Sequence, residues 1–343
     1  MRSEPVFVTG AAGFIGHHVV RLLLESGRSV RALVRPGEDT RNLDALPDLR
    51  LERVEGDILD RPRLAEVMAG CPVVYHLAAL YRTWVPDPRV IYDVNVTGTA
   101  NVLAAAAAHG VQRVVYTSSI AAIGLDPSGA PAREDAAYNL WPFAFDYVRS
   151  KYLAHQVAAA FAPVVDLVLV CPSMPLGPGD IGPTPTGKTL VDTVNGKIRF
   201  SFTGGLNIVD VEDVARGHLL AEARGRRGET YLLSGHNMTI PEMVAALRRE
   251  VGLRHRNWPI PGGLAALVGR LSEAYADRVS KREPMITGGS VAYARQRLFY
   301  DNSKAREELG FQVRPLGESL RRAVEWFVAH GHIDRAALPA AAP

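Results

Sequence analysis

The chain has 343 residues, of which 47% are hydrophobic and 22% are charged, and its formal net charge is +3. These proportions are ordinary for a soluble globular protein, and the length provides a core for one large domain or two smaller ones. The small positive excess comes without a block of Lys or Arg, which argues against nucleic acid as a partner.

The cysteine pattern and the N-terminal pattern point to a reducing compartment. Cys71 and Cys171, the two cysteines of the chain, lie in apolar strand-like segments, so we expect buried thiols rather than a disulfide or a metal site. The first residues lead into a strand without the features of a signal peptide, and no uncharged apolar run reaches the roughly 20 residues of a membrane span. We therefore expect a cytoplasmic protein with no metal ion.

Three glycines near the N terminus mark a turn in the segment Thr9-Gly10-Ala11-Ala12-Gly13-Phe14-Ile15-Gly16. An apolar run precedes it as a strand, and apolar residues follow at helical spacing as far as Leu23. Gly10 permits a tight turn, Gly13 lets the backbone approach a pyrophosphate, and Gly16 lets helix and strand pack closely. Since the amides of the helix start would face the phosphates, we predict a dinucleotide site formed by Gly10, Gly13, Phe14, Ile15 and Gly16.

The second predicted strand, Val30 to Arg35, bears on the choice of cofactor. About 20 residues past the glycines, an NAD-binding protein usually carries Asp or Glu for the ribose 2′-hydroxyl. Here that place holds Val34-Arg35. An arginine can pair with a 2′-phosphate, and we expect no carboxylate to repel it. We therefore favour NADP over NAD, with a plain surface arginine as the alternative.

The fourth predicted strand, Val73 to Ala79, ends in small residues where the chain can pass close to a cofactor. A proline-bearing loop with Tyr81 and Trp84 follows. Two exposed aromatic side chains there would form a wall of a substrate site, or they would only close the loop. Both alternatives stay open at this point.

Hydroxyl residues end the fifth predicted strand at Thr117 and Ser119, and the next helix carries Tyr147 and Lys151. Ligands bind at the carboxyl ends of parallel strands. The spacing of Tyr147 and Lys151, i and i+4, places both on one helix face, the stripe that packs toward the sheet. A buried lysine is costly unless it has a partner or a shifted pKa, and the ribose hydroxyls of a cofactor would supply that partner.

Ser119, Tyr147 and Lys151 together predict hydride-transfer catalysis. A free tyrosine has a pKa of about 10, and a nearby ammonium together with a positive nicotinamide ring would lower this pKa. Tyr147 would then exchange a proton with a substrate hydroxyl or carbonyl, and Ser119 would hold the same oxygen. Lys151 would bind ribose, and the nicotinamide would exchange the hydride.

The alternation of strands and helices predicts an α/β fold with a doubly wound parallel sheet. We assign residues 1–172 and 207–235 to this Rossmann domain, and 173–206 and 236–335 to a smaller, mainly helical substrate-binding lobe. The stretch from Cys171 through Lys188 is dense in Pro, Gly and Thr and predicts a long functional loop. Gly262 to Ala276 predicts an amphipathic helix that covers the substrate pocket, with a helix lying on a membrane as the alternative. Residues 336–343 are expected to be a disordered tail.

These motifs together resemble the extended short-chain dehydrogenase/reductase superfamily from Val6 to about His330. The matching segments are the glycine turn, Asp57-Ile58, His76-Leu77-Ala78-Ala79, Asn95-Val96-Thr97-Gly98, Thr117-Ser118-Ser119, and Tyr147 with Lys151. Within it, the chain is similar to dihydroflavonol-reductase-like members and to bacterial hopanoid-associated sugar epimerases. The segments that carry this narrower resemblance are 81–88, 172–178 with 183–187, and 298–300.

The resemblance extends the list of site residues. It implies that Asp57 and Ile58 contact adenine, and that Leu77, Ala78 and Ala79 pass near the pyrophosphate or ribose. It also assigns to the cofactor site Thr117, Pro172 and Ser173. Tyr81, Trp84, Ser119 and Met174 are assigned to the substrate. A homodimer through the two long helices, 94–108 and 147–161, is the expectation for the family.

Several reactions share this machinery. Arg35 favours net NADP-dependent reduction of a ketone or oxidation of an alcohol, on a sugar-like, isoprenoid or polycyclic molecule. The narrower resemblance favours a sugar epimerase with a retained cofactor, in hopanoid metabolism. Dehydration needs an acid after the strand-end hydroxyls, where this chain has Ile120-Ala121-Ala122. A non-catalytic NADP sensor is the alternative of another class, and the presence of Ser119, Tyr147 and Lys151 disfavours it.

Overall fold

The computed structural model describes residues 4–46, 48–253, 255, 257–284 and 286–338. Its strands, in chain order, are β1 (Val6–Thr9), β2 (Val30–Val34), β3 (Leu51–Glu55), β4 (Val73–His76), β5 (Arg113–Thr117), β6 (Leu167–Pro172), β7 (Met174–Leu176), β8 (Phe200–Ser201), β9 (Gly205–Asp210), β10 (Thr230–Leu233), β11 (His236–Thr239) and β12 (Trp258–Pro259). Seven of them form one parallel sheet in the order β3-β2-β1-β4-β5-β6-β10. This is the predicted doubly wound order, so the fold class is confirmed.

The α-helices are α1 (Gly16–Glu25), α2 (Arg41–Asp44), α3 (Arg61–Met68), α4 (Arg89–Tyr92), α5 (Gly98–Ala108), α6 (Asp146–Phe161), α7 (Pro185–Val194), α8 (Val211–Arg224), α9 (Ile240–Val251), α10 (Gly262–Tyr275), α11 (Gly288–Ala294) and α12 (Leu316–Ala329). A π-helical segment, Asp93–Thr97, leads into α5, so the predicted helix 94–108 is α-helical only from Gly98. The described residues contain no helix that is long and apolar enough to cross a membrane.

Strand β1 shows how the two layers of helices attach to the sheet. Val6 and Val8 join the core cluster that includes residues of α1 and α8, whereas Phe7 joins the cluster of α3, α5 and α6 on the opposite face. Successive side chains of a strand point to opposite faces, and both faces are covered, as a parallel sheet requires. All of β1 is therefore apolar except for Thr9 at its carboxyl end, where the glycine turn begins.

The segment expected to be a long loop contains more regular structure than we predicted. Within the stretch expected to be a loop, β7 pairs with β9, and α7 begins at Pro185. Thr184 accepts a hydrogen bond from the Gly187 amide, and proline is favoured in the first turn of a helix, so the local sequence does encode this helix start. The prediction of an unbroken loop through Lys188 was therefore wrong.

Three predicted strands end earlier than expected, at Val34, His76 and Thr117. At the C terminus, Arg335–Ala337 forms a short 3-10 helix. The predicted tail, 336–343, lies outside the described residues from 339 onward.

Candidate active site

The glycine turn forms a cradle at the carboxyl end of β1. Gly10 has a φ of +67°, and a Cβ atom on it would lie 2.6 Å from the Ala78 amide nitrogen. A Cβ on Gly16 would lie 2.0 Å from the Gly10 carbonyl oxygen. Helix α1 begins here without a side-chain cap and with no acidic residue in its first turn. Such a helix start suits an anion, so the turn fits the pyrophosphate of a dinucleotide.

Ser119 and Tyr147 come together beside this cradle. Ser119 follows β5, and its Oγ accepts a hydrogen bond of 3.1 Å from the Ala121 amide. Burial raises the pKa of the Tyr147 phenol, the neighbouring Tyr81 adds to this effect, and the Ser119 hydroxyl opposes it. The protein chain by itself therefore does not lower the pKa of Tyr147 as we predicted.

Lys151 lies behind Tyr147 in the apolar interior and is only 3% exposed. Its Nζ donates a hydrogen bond of 2.9 Å to the Thr117 carbonyl and stands 5.4 Å from the centroid of the Tyr116 ring. Burial lowers the pKa of Lys151 to about 8. Since no carboxylate neutralises this ammonium among the described residues, it has capacity for further hydrogen bonds, as a ribose would offer.

A buried chain of hydrogen bonds that we did not predict joins the glycine turn to the Tyr147 helix. The Ala78 amide donates to Thr9 Oγ1, which lies 2.7 Å from His76 Nδ1, and His76 Nε2 lies 3.0 Å from Thr99 Oγ1. The Thr99 hydroxyl donates to the Asn95 carbonyl, so the proton of His76 resides on Nε2. Burial lowers the pKa of His76 to about 3, which keeps the ring neutral.

The Asn95 side chain continues this chain of hydrogen bonds. Its oxygen accepts from the Leu80 amide at 2.7 Å, and its Nδ2 donates to the Leu80 carbonyl and to Ser150 Oγ. Ser150 in turn donates to the Tyr147 carbonyl at 2.7 Å. Polar residues at the ends of apolar strands were the available sequence signal, but their pairing depends on how the strands are ordered in the sheet.

Aromatic rings enclose the catalytic phenol. The Tyr81 and Tyr147 ring centroids are 4.5 Å apart, and Phe145 lies 6.2 Å from Tyr147 on another side. The Tyr81 hydroxyl lies 3.2 Å from Thr186 Oγ1, which ties it to the start of α7. Trp84 is placed differently, because its Nε1 donates to Asp277 in the helical lobe.

The structure places a carboxylate beside Arg35, contrary to our expectation. Arg35 follows β2 with an exposed side chain, and Glu38 Oε2 accepts a hydrogen bond of 2.9 Å from the Arg35 amide. The turn after β2 thus presents one cation and one carboxylate. The sequence analysis missed Glu38 because it lies four residues beyond the strand end. The conformation of the loop, which brings its side chain back to Arg35, is not visible in the sequence.

Other predicted cofactor residues lie along the same edge of the sheet. Asp57 accepts from the Leu59 amide, and the side chain of Ile58 is buried against Gly98 of α5. The side chain of Leu77 packs into the core, and Ala79 is exposed. The Thr117 hydroxyl is turned toward His218 of α8 at 2.8 Å.

The end of β6 offers one polar group that the protein leaves without a partner. Pro172 is the last residue of β6, and the next residue, Ser173, is buried with a hydroxyl that has no hydrogen-bond partner among the described residues. Met174 begins β7 and is half-buried. The Ser173 hydroxyl therefore fits a ligand group at the position assigned to the cofactor.

The segment after β7 is held next to the glycine turn by hydrogen bonds from His18 and Asn42. His18 Nε2 donates to the Pro178 carbonyl at 2.9 Å. Asn42 Nδ2 lies 3.2 Å from the Ala12 carbonyl oxygen and 3.0 Å from that of Gly179. Gly179 has a φ of +90°, and a Cβ on it would lie 2.3 Å from the His17 ring. We call residues 178–179, held by His18 and Asn42, the clasp.

Comparison with known proteins shows the family of the chain. Residues 6–234 match the family model described as the NAD dependent epimerase/dehydratase family. The chain belongs to this family. Its members of the extended short-chain dehydrogenase/reductase type are NAD(P)-dependent enzymes with a Rossmann fold, which confirms the predicted resemblance and the assignment as an enzyme.

Named relatives span almost the whole chain. A putative dihydroflavonol 4-reductase of Synechocystis sp. is 39% identical, with 96% of each chain covered. Sterol demethylase protein B of Methylococcus capsulatus is 33% identical and covers 95% of this chain and 99% of its own length. The crystal structure of gox2253 superposes with a TM-score of 0.85 at 36% identity, over 97% of this chain and 100% of that one.

Proposed function

We propose that the protein is an NADP-dependent oxidoreductase that interconverts a secondary alcohol and a ketone on a small molecule. The observation that carries the proposal is the approach of Ser119 to Tyr147 beneath an aromatic wall, beside a turn that fits a dinucleotide. We further propose that it works as a cytoplasmic homodimer built through α5 and α6.

Each catalytic side chain has a role that its position supports. The nicotinamide, when bound, supplies or accepts the hydride. Ser119 donates a hydrogen bond to the substrate oxygen and orients it. Tyr147 gives its phenolic proton to that oxygen as a ketone is reduced, and takes the proton back in the reverse direction. Lys151 binds ribose hydroxyls and favours the Tyr147 phenolate by its charge.

The walls of the site favour an apolar substrate, of isoprenoid or polycyclic type, over a sugar. Tyr81 and Phe145 face Tyr147, and Phe145 packs against Tyr293 at 6.1 Å. Aromatic side chains enclose apolar ligands well. The relative named for sterol demethylation acts on this kind of molecule by its name, which supports the same choice.

The preference for NADP rests on Arg35. Its exposed guanidinium at the end of β2 stands where the ribose 2′-substituent of a bound dinucleotide would lie. A guanidinium pairs well with a phosphate in two hydrogen bonds. Glu38 opposes this preference, so the charges at this turn determine the ratio of NADPH to NADH affinity.

An epimerase with a retained cofactor, acting on a sugar linked to a nucleotide or a hopanoid, is the second candidate, and the clasp favours it. An epimerase must keep its reduced cofactor between two half-reactions. Residues 178–179 are held next to the glycine turn by His18 of α1 and by Asn42, which also contacts the Ala12 carbonyl. This arrangement would slow nucleotide exit. The NADP-sensing alternative is disfavoured because Ser119, Tyr147 and Lys151 are all in place.

The deciding experiment combines cofactor content with turnover. The purified protein is analysed for bound nucleotide after gel filtration, and then incubated with NADPH or NADH and a panel of polycyclic ketones, isoprenoid ketones and nucleotide sugars. Stoichiometric oxidation of NADPH with a ketone supports the reductase. Interconversion of two sugar epimers on tightly held nucleotide, without net NADPH consumption, would replace it by the epimerase.

A further inference from the structure

Helix α10 presents a stripe of large apolar side chains to the outside of the protein. The stripe runs along α10 and the π-helical turn that follows it, Ala276–Ser280. Its members are Leu264, Leu267, Val268, Leu271, Tyr275 and Val279, each between 46% and 63% exposed. Apart from the adjacent pair Leu267 and Val268, they recur at intervals of three and four residues, so they lie on one helix face. We call this set the α10 stripe.

The inner face of α10 is made of small residues. Ala265 and Gly269 are buried against the start of α11, and a Cβ on Gly269 would lie 2.8 Å from the Thr287 carbonyl oxygen. The helix thus packs against the protein through its smallest residues, while its largest apolar side chains face outward. This is the reverse of an ordinary surface helix, and an exposed patch of this kind marks an interaction site. We predicted that this helix covers the substrate pocket, with a helix lying on a membrane as the alternative. The outward orientation of the stripe favours that alternative.

The charges beside the stripe favour an anionic partner. Three carboxylates lie in this segment and each accepts a hydrogen bond, Glu273 from the Gly288 amide, Asp277 from Trp84 and Glu283 from Thr83. The same segment carries four cations, namely Lys281 and three arginines. Arg270, Arg278 and Arg282 are exposed and form no ion pair with any other residue that the structure describes.

Exposed aromatic residues lie before the stripe and within it. Trp258 and Phe200 are 59% and 56% exposed and are paired in the two-stranded sheet of β12 and β8, and β12 comes shortly before α10 in the chain. Tyr275 is a member of the stripe and the last residue of α10. Trp and Tyr are favoured at the boundary between lipid and water, because one part of the ring system is apolar and the other is polar.

We propose that the α10 stripe docks onto the surface of a lipid bilayer that contains anionic lipids. The helix lies in the plane of the surface with the stripe among the outer acyl chains, and Arg270, Arg278 and Arg282 contact the headgroups. A second copy of the chain would have to leave these three cations unneutralised or supply carboxylates to meet them, whereas anionic headgroups supply the charge directly.

The docked surface is joined to the active site through one loop. Asp277, between Tyr275 and Val279 of the stripe, accepts the hydrogen bond of Trp84, and Tyr81 in the same loop packs against Tyr147. Docking would therefore bring the substrate side of the site toward the bilayer, where an apolar ketone resides. This link rests on the proposed function, whereas the docking itself rests on the α10 stripe.

Co-sedimentation with vesicles tests the docking without any turnover. The full-length protein is mixed with vesicles of phosphatidylcholine alone or with added phosphatidylglycerol. We expect binding to the anionic vesicles that weakens as salt is raised. The double variant Leu267→Glu/Leu271→Glu should bind at least about tenfold less. Val164→Glu, at a residue 67% exposed elsewhere on the protein, is the matched control and should bind like the wild type.

A second variant separates charge from apolar contact. Arg278→Gln/Arg282→Gln should reduce binding to anionic vesicles and remove much of its salt dependence. Thermal unfolding should be cooperative in all variants, since only exposed side chains change. Equal binding of the wild type and the stripe variant, or no binding to either vesicle, would overturn the proposal. So would a wild-type assembly that the stripe variant dissociates in the absence of lipid, because a second copy would then cover the stripe.

Failure of docking and failure of the reductase assignment give different results. Vesicle binding needs no substrate, and NADPH oxidation with a water-soluble ketone needs no vesicle. Vesicle binding without NADPH oxidation would support the docking proposal and contradict the reductase proposal. NADPH oxidation without vesicle binding would support only the reductase proposal.

Discussion

The Tyr81 ring lies against the ring of Tyr147, with 4.5 Å between their centroids. Tyr81 comes from the loop after β4, and Tyr147 from α6, so the contact joins the cofactor side of the site to the substrate side. Replacing Tyr81 by Ala should lower kcat/KM for an apolar ketone by about three- to tenfold, since it removes the stacking. Tyr81→Phe keeps the ring and should stay near wild type. Equal losses in both variants would show that the Thr186 contact of the hydroxyl, not the ring, matters.

Removing the phenolic proton donor should abolish most of the turnover. Tyr147→Phe is expected to lower kcat by about 10²- to 10⁴-fold, the usual contribution of one positioned acid–base group. The affinity for NADPH, measured by fluorescence titration, should change little, because the phenyl ring still fills its place. Unchanged turnover in this variant would instead support the sensor function.

The buried ammonium makes stability depend on pH in a defined direction. Folded Lys151 loses its proton near pH 8, whereas the unfolded chain holds it up to about pH 10.5. Between these values the unfolded state binds more protons at Lys151, so this residue should add up to about 3 kcal/mol to the free energy of unfolding as the pH rises. Buried tyrosines and thiols, whose pKa burial raises, contribute in the opposite direction and do so alike in the wild type and in a Lys151 variant. Urea unfolding of the wild type and Lys151→Met at several pH values checks this. The Lys151 contribution should be absent from Lys151→Met, and parallel curves would contradict the assignment.

Loosening the clasp should speed the exit of nucleotide. Asn42→Ala removes the contacts to the carbonyls of Ala12 and Gly179, and we expect release of NADPH to be about three- to thirtyfold faster by stopped-flow fluorescence. Asn195→Ala is a suitable control, because Asn195 also bridges two backbone groups, those of His332 and Asp334. If both variants release nucleotide alike, the clasp does not govern exchange.

The two charges after β2 should act on cofactor choice in opposite directions. Arg35→Ala is expected to weaken NADPH binding by about ten- to a hundredfold while leaving NADH nearly unchanged, because a charge-assisted pair is lost. Glu38→Gln should raise the preference for NADPH, since a negative charge near the 2′-phosphate is removed. Isothermal titration with both cofactors measures the ratio. A loss of NADH affinity as large as that of NADPH in Arg35→Ala would mean that the residue holds the loop rather than the phosphate.

Local patterns in the sequence were sufficient for the glycine turn, the central sheet and the Tyr147/Lys151 pair. For the glycine turn and the Tyr147/Lys151 pair the informative spacing lies within one turn or one helix, and for the sheet it lies in the alternation of strands and helices. Residues far apart in the sequence were beyond such patterns. The clasp joins Asn42 to Gly179, and the buried chain joins Thr9 to His76 and Thr99, and both depend on how the elements pack.

Electrostatics was the least predictable part of the site. The sequence shows that Tyr147 and Lys151 share a helix face, but it does not show how much water reaches them. Burial raises the pKa of one and lowers that of the other. Likewise, Glu38 reaches the turn of Arg35 only because the loop curls back. Helix α7 is different, since Thr184 and Pro185 are a recognisable helix start that the high density of Pro and Gly concealed.

The last strand of the central sheet, β10, comes late in the chain, and this limits where the protein can be truncated. β6 is buried along its whole length, and its outer edge is paired by β10, which is formed more than 50 residues further along the chain. A fragment that stopped at Pro172 would contain Ser119, Tyr147 and Lys151, yet its last strand would expose unpaired backbone groups on an apolar edge. Such an edge recruits other chains. Shortened versions made for engineering should therefore aggregate unless they extend through Leu233, and gene fusions that keep the enzyme soluble should join outside that span.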